Sequence, residues 1–354
     1  MFSTLSDPYL VFAFVTGAVA LVLTALLVIL TIALRISLKR REKRELKFTA
    51  LWRPILMNAL VDPAACELPV LQARDHLSFL KLWNYLQETL RGEATNTLNQ
   101  VARRLRCDAL VRRLLRHGNR AERLLAILTL GNLRDRETWD ELLATAASHD
   151  HVASLNAARA LIQIDPMSGV AHLMPLLLAR QDWEFPRVAR MLGDARAAFE
   201  LLLTRTIGRL KANELVRALQ LVEALRIQMS TADLLQLLHP RQPPAVLAAA
   251  LRVAVGADVL DTVREHLRHP DWRVRAQAVQ ALSRLGEPSD VTLLTARLGD
   301  AEWWVRYYAA QALASLPFLG REGLAALRST VTDTAARQII AQVSAERGIP
   351  SHGS

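Results

Sequence analysis

Residues 271–286 read DWRVRAQAVQALSRLG, and residues 302–316 read EWWVRYYAAQALASL. An offset of 31 superimposes them, placing Val274 on Val305, Arg275 on Arg306, Ala278 on Ala309 and Ala281-Leu282 on Ala312-Leu313. An earlier copy runs through Asp150, Asn156, Ala157 and Ala160-Leu161. Weaker copies centre on Ala126-Ile127, Val188-Ala189, Leu221-Val222 and Ala250-Leu251. The anchors at 126, 160, 188, 221, 250, 281 and 312 are spaced 34, 28, 33, 29, 31 and 31 apart. A near-constant period of this size marks a solenoid, in which one unit cannot bury its own apolar face and stacking does so.

Within a period the apolar residues recur at helical spacing, and no segment alternates apolar with polar residues as a half-buried strand would. The class expected is therefore all-α, with two helices per period. In the repeat at 271 the first helix is expected over about 271–285 and the second over about 289–298, with Gly286 and Pro288 supplying the turn. Ala278, Ala281, Ala309 and Ala312 allow close helix approach, while Val274, Leu282, Val305 and Leu313 fill the layer between repeats. Asp271 with Arg275, and Glu302 with Arg306, stand at i,i+4 and are expected to pair at the helix starts. The repeat at 150 has Ser154 in place of that arginine.

This pattern resembles HEAT repeats, in particular the short bacterial type called PBS-lyase HEAT-like. The likeness rests on residues 271–286 and 302–316 and extends over 119–345. It implies an α-solenoid of HEAT-like helix pairs. Some HEAT-like enzymes bind iron through His-Glu dipeptides, but no histidine here is followed by glutamate, and Glu265-His266 is the reverse order. Others are DNA glycosylases that cradle a duplex on a basic face.

Ahead of the repeats, Tyr9 to Leu34 carries no charged residue across 26 positions. At about 1.5 Å per residue that length exceeds the ~30 Å of a bilayer core. It is longer than a signal-peptide core, and its bases follow it instead of preceding it. Lys39, Arg40, Arg41, Lys43 and Arg44 sit just after it and, by the positive-inside rule, keep that side in the cytoplasm. The organisation expected is a short extracytoplasmic tail (1–8), a transmembrane helix (9–36) and a basic juxtamembrane linker (37–47). A helical cap or irregular first repeats (48–118), the solenoid (119–345) and a disordered tail (346–354) complete it. Phe48, Leu51, Trp52, Ile55 and Leu56 have helical spacing, with Pro54 expected to break the backbone ladder nearby. They fit either an interfacial helix or the first turn of the stack. A helix is expected from about Ala94 to His117, ended by Gly118.

The chain of 354 residues has a formal net charge of +10, nearly all of it from arginine. Its two cysteines, Cys66 and Cys107, have no zinc-like spacing, and dinucleotide, P-loop and serine-hydrolase signatures are absent. His149-Asp150-His151 looks metal-like, but His239-Pro240 and His269-Pro270 occupy the same junctional place, which points to a helix-end role. No catalytic residue, cofactor or metal ligand is therefore assigned. Two surface features remain. Arg103, Arg106, Arg113, Arg116 and Arg120 form a cluster that suits an acidic partner or lipid, or else a solvated face. Arg106, Arg113 and Arg120 would share a side only if the helix were continuous. Trp303, Tyr307 and Gln311 lie on a face that Trp272 and Gln280 share one repeat earlier, whereas Trp304 and Tyr308 are expected to pack at the core edge. Exposed aromatics suit a protein interface.

The function expected is a membrane-tethered cytoplasmic scaffold, single-pass in the inner membrane with its N-terminus outside. Its partner would be a membrane-associated protein; the span argues against nucleic acid, and nothing points to a small-molecule ligand. The alternatives are nucleic-acid binding through the Arg-rich face, or a HEAT-like cofactor or metal enzyme.

Overall fold

A computed structural model describes residues 8–61 and 67–347. The expected tail at 1–8 lies outside these residues up to position 7, as do Asp62-Pro63, Cys66 and positions 348–354 of the expected C-terminal tail. Among the described residues there are helices and short 3-10 turns but no strand. They divide into two compact units at Glu141.

The first unit opens with α1 (Pro8–Val61), an unbroken helix of 54 residues, about 80 Å long. The basic stretch 37–47 is therefore helix and not a separate linker. The helix also continues through Pro54, contrary to the expected break. Proline there removes one N–H from the ladder, on a side of the helix that faces away from the core. Phe48, Trp52, Leu56 and Ala59 are buried at spacings of 4, 4 and 3. The Phe48 and Trp52 rings stack at 5.7 Å, and Trp52 meets the edge of Phe79 at 5.1 Å. Of the two readings of 48–61, this is the one that joins it to the folded unit.

α2 (His76–Thr89), α3 (Glu93–Arg104), α4 (Cys107–His117) and α5 (Arg120–Leu133) complete the first unit, with α6 (Trp139–Ala146) spanning the division. The single helix expected over 94–117 is two helices. Arg106 adopts φ +53 between them, a left-handed conformation that reverses the chain locally. Gly118 does end α4: a Cβ there would come within 2.5 Å of the Leu114 carbonyl oxygen. α5 then starts from a capping box formed by Asn119 and Glu122.

The second unit contains α7 (His151–Ile164), α8 (Pro166–Ala179), α9 (Phe185–Gly193), α10 (Arg196–Thr206) and α11 (Ala212–Leu225). It continues with α12 (Thr231–Leu237), α13 (Pro244–Val253), α14 (Leu260–His266) and α15 (Trp272–Leu285). α16 (Asp290–Arg297), α17 (Trp303–Ser315), α18 (Gly320–Thr330) and α19 (Thr334–Glu346) close it. The odd-numbered helices pack on one another in sequence from α7 to α19. The anchors read from the sequence fall on α5 in the first unit and on α7, α9, α11, α13, α15 and α17 in the second. Ala160-Leu161, Ala250-Leu251, Ala281-Leu282 and Ala312-Leu313 are all buried, so alanines do sit where helices approach. The period is thus the spacing of one helical row. Of the intervening helices, α8 packs on α7, α14 on α15 and α16 on α17. At the repeats of 271 and 302 the short helix, α14 or α16, therefore lies closest to the long helix that follows it, not to the one before it as the sequence suggested, whereas α8 packs chiefly on α7 before it.

Candidate interaction surfaces and the repeat junctions

α17 is enclosed by α15, α16 and α19. Its buried arc comprises Val305, Ala309, Ala310, Ala312 and Leu313. Ala310 widens that arc and turns its centre away from Trp304, which becomes 47% exposed against 40% for Trp303. The expected packing of Trp304 at the core edge is thus overturned. Four aromatic rings instead form one continuous ledge. Trp303 stacks on Tyr307 at 5.0 Å with an interplanar angle of 11°, and Trp304 stacks on Tyr308 at 5.9 Å and 28°. The two tryptophans meet edge to face at 4.8 Å. Tyr308 is half-buried and fixes the lower edge.

The ledge is tied to α19. Tyr307 donates to Glu346 at 2.8 Å and accepts from Gln311 at 2.9 Å. The Glu346 hydrogen bond raises the Tyr307 phenol above its ordinary value, while bonds from Gln342 and Tyr307 hold the Glu346 carboxyl below its own. Trp303, Tyr307 and Gln311 are thus brought together as the sequence suggested. Trp272 and Gln280 stand half-buried on α15, and Trp272 makes no ring contact with the ledge among the described residues.

The arginine cluster is dispersed. Arg103 lies on α3, Arg106 in the turn, Arg113 and Arg116 on α4, and Arg120 at the start of α5, all exposed. Arg103 donates to the Leu133 carbonyl at 3.2 Å, and Arg116 pairs with Glu141. Between them Arg112 grips both oxygens of Asp135 at 2.7 and 3.0 Å and also pairs with Glu137. Part of this cluster therefore holds the unit together.

The same arrangement recurs along the second unit. Arg264 spans both oxygens of Asp290 at 2.7 and 3.0 Å, and Arg275 spans those of Asp300 at 2.9 and 2.7 Å. Arg275 thus bypasses Asp271, its expected i,i+4 partner, which caps the Arg273 amide instead. Arg306 likewise donates to the carbonyls of Asp300 and Ala301 and not to Glu302. Arg284, Arg297, Arg217 and Arg180 each donate to backbone carbonyls 30 to 40 positions earlier. These contacts satisfy carbonyls left open at helix ends. An acid about 25 positions after an arginine (112 to 135, 264 to 290, 275 to 300) was the available sequence signal for the clamps.

The histidines at repeat junctions serve the backbone. His239 and His269 accept the amides of Arg241 and Asp271 through Nδ1, at 3.2 and 3.0 Å. Their role at the helix ends is thus to accept a backbone amide of the turn that follows. Asp150 caps α7 through the Val152 and Ala153 amides. His266 is buried with Nε2 2.7 Å from the Leu238 carbonyl, and burial holds its pKa below the ordinary value.

A stack of long helices in sequence order, tied by arginine at several of its junctions, is the geometry of a helical repeat array, and comparison with known families supports it. Residues 231–343 match the family of HEAT repeats. The match covers about a third of the chain, from α12 to α19. Comparison with curated proteins returned no match. The matched segment includes α15 and α17, which carried the resemblance in the sequence, and the whole aromatic ledge on α17.

Proposed function

We propose that this chain is a membrane-tethered HEAT-repeat scaffold that binds a membrane-associated protein through the aromatic ledge of α17. HEAT repeats generally serve as protein-interaction scaffolds. The observation that carries the reading is the exposure of Trp303 and Trp304 side by side on a helix whose other side is fully enclosed. Tryptophan and tyrosine on a rigid support contribute large contact area at little entropic cost. The clamped arginines favour this surface over the Arg-rich face, because Arg112 and Arg116 already carry carboxylate partners.

The tether is α1. Its apolar part has a mean hydropathy of 2.8 over the most apolar window and none of that window is buried. An apolar helix without protein cover is stabilised by lipid. The hydroxyls of Thr16, Thr24 and Thr31 donate to carbonyls four residues earlier, which suits a medium without water. The bases at Lys39, Arg40, Arg41, Lys43 and Arg44 orient the folded units to the cytoplasm, in a single-pass inner-membrane protein with its N-terminus outside. Lys39, Arg40 and Lys43 are exposed and Arg44 pairs with Asp75 at 2.8 Å, while the side chain of Arg41 lies outside those described.

The test is photocrosslinking in native membranes with a benzoylphenylalanine at Trp304. A discrete protein adduct that disappears with Trp303→Ala is expected; labelling of lipid or water alone would overturn the reading. A fluorescent reporter fused after Ser354 should be active only on the cytoplasmic side.

A further inference from the structure

α1 gives only one face to the first unit. Opposite Phe48, Trp52 and Leu56, it carries Leu46, Ala50, Pro54 and Met57 at spacings of 4, 4 and 3. Leu46 is 64% exposed and Met57 43%. With Thr49 and Arg53 they line a shallow groove of about 550 Å³. A second hollow of about 350 Å³ shares Thr49 and Arg53 and reaches Tyr85 of α2, which is also exposed. The first is apolar around Arg53; the second also carries Glu45 and Lys81, which pair with each other at 3.3 Å, so that together they form a track along α1 with the Arg53 guanidinium in its middle. Arg53 has no acidic partner among the described residues.

We infer that this track receives a helix of a membrane-protein partner, apolar on its contacting side and bearing a carboxylate opposite Arg53. The inference rests on the reading of α1 as a membrane span. Three observations select this occupant. Leu46 lies 12 residues beyond Leu34, about 18 Å along the helix axis, and the track runs about 17 Å further. It therefore continues the line of α1 away from the bilayer, where a helix emerging beside α1 would lie. That height exceeds a headgroup layer of roughly 5–8 Å on each side of the hydrocarbon core, so lipid does not cover the track. A second parallel copy would set its own Lys39, Arg40, Lys43 and Lys47 beside the same bases with only Glu42 and Glu45 to offset them, and the excess of like charge disfavours pairing. An acidic helix relieves the same repulsion.

The test uses the full chain in native membranes, with benzoylphenylalanine placed at Ala50 and the adducts digested and sequenced. The expected adduct is a peptide from a membrane protein that adjoins an apolar span and contains Asp or Glu. Arg53→Glu should lower its yield about tenfold, while Arg53→Lys retains it. An adduct of the chain with itself, an adduct to lipid, or a yield indifferent to Arg53→Glu overturns the inference. A carbonate wash separates the two readings. A chain that stays in the washed membrane without an adduct overturns the track alone, whereas a chain that is released overturns the anchor and the track with it.

Discussion

The guanidinium of Arg275 in α15 lies across both carboxylate oxygens of Asp300, and Asp300 also accepts the amide of Glu302 at the head of α17. One aspartate thus fixes the start of a helix and ties it to the preceding member of the row. Both side chains are largely buried, 13% and 4% exposed. Removing one member of such a pair leaves the other desolvated and unpaired, which costs about 3–5 kcal/mol. Asp300→Ala should therefore lower the urea midpoint of the second unit strongly. The double variant Asp300→Ala, Arg275→Met should recover part of the loss.

The clamps also set an acid limit. Burial opposes ionisation of Asp290 and Asp300, but hydrogen bonds from Arg264 and Arg275 and from backbone amides outweigh it and hold both carboxyls below their ordinary value. A depressed folded pKa means stability that is fully present above the ordinary carboxylate pKa of about 3.9 and lost as pH falls through the folded value. Urea midpoints should hold down to about pH 4 from this source and drop below it, and Asp290→Asn with Asp300→Asn should flatten that drop.

His266 acts in a different window. Burial lowers its folded pKa, so the unfolded chain takes up a proton first as pH falls below about 6.5. Stability should decrease as pH falls through 6.5 and level off below the folded pKa. His266→Leu should remove that slope while lowering the midpoint at neutral pH, because the Leu238 carbonyl loses its donor.

Cys107 is fully buried in the first unit, and desolvation, helped by Asp108, pushes its thiol up to about 12. In a Cys66→Ser background the native protein should resist iodoacetamide at pH 8, since the thiolate is the reactive form. Labelling followed by mass spectrometry across a urea series should then report the unfolding of that unit.

The aromatic ledge separates binding from stability. Trp303→Ala with Trp304→Ala should change the thermal midpoint little, because both rings are substantially exposed. Leu313→Ala, on the buried side of the same helix, should cost about 2–5 kcal/mol. With the probe at position 304, Trp303→Ala should abolish crosslinking at the ledge without that loss of stability.

The repeat spacing was legible because small or branched apolar residues, most clearly the pairs Ala160-Leu161, Ala250-Leu251, Ala281-Leu282 and Ala312-Leu313, are buried where one long helix crosses the next, and that crossing distance in sequence is the period itself. The uncharged run of 26 residues and its basic flank were equally legible, since they depend on composition alone. Trp303, Tyr307 and Gln311 could be grouped because α17 is a regular helix. The exposure of Trp304 could not, because it depends on how wide an arc α15, α16 and α19 cover together. The destinations of Arg275 and Arg306 were hidden for a related reason. An i,i+4 pair is geometry within one helix, whereas a guanidinium on a long stem reaches whatever acceptor the next repeat brings near. Asp300 comes within 2.7 Å of Arg275 only after stacking has occurred, and in that low-dielectric junction it outcompetes the solvated local partner Asp271.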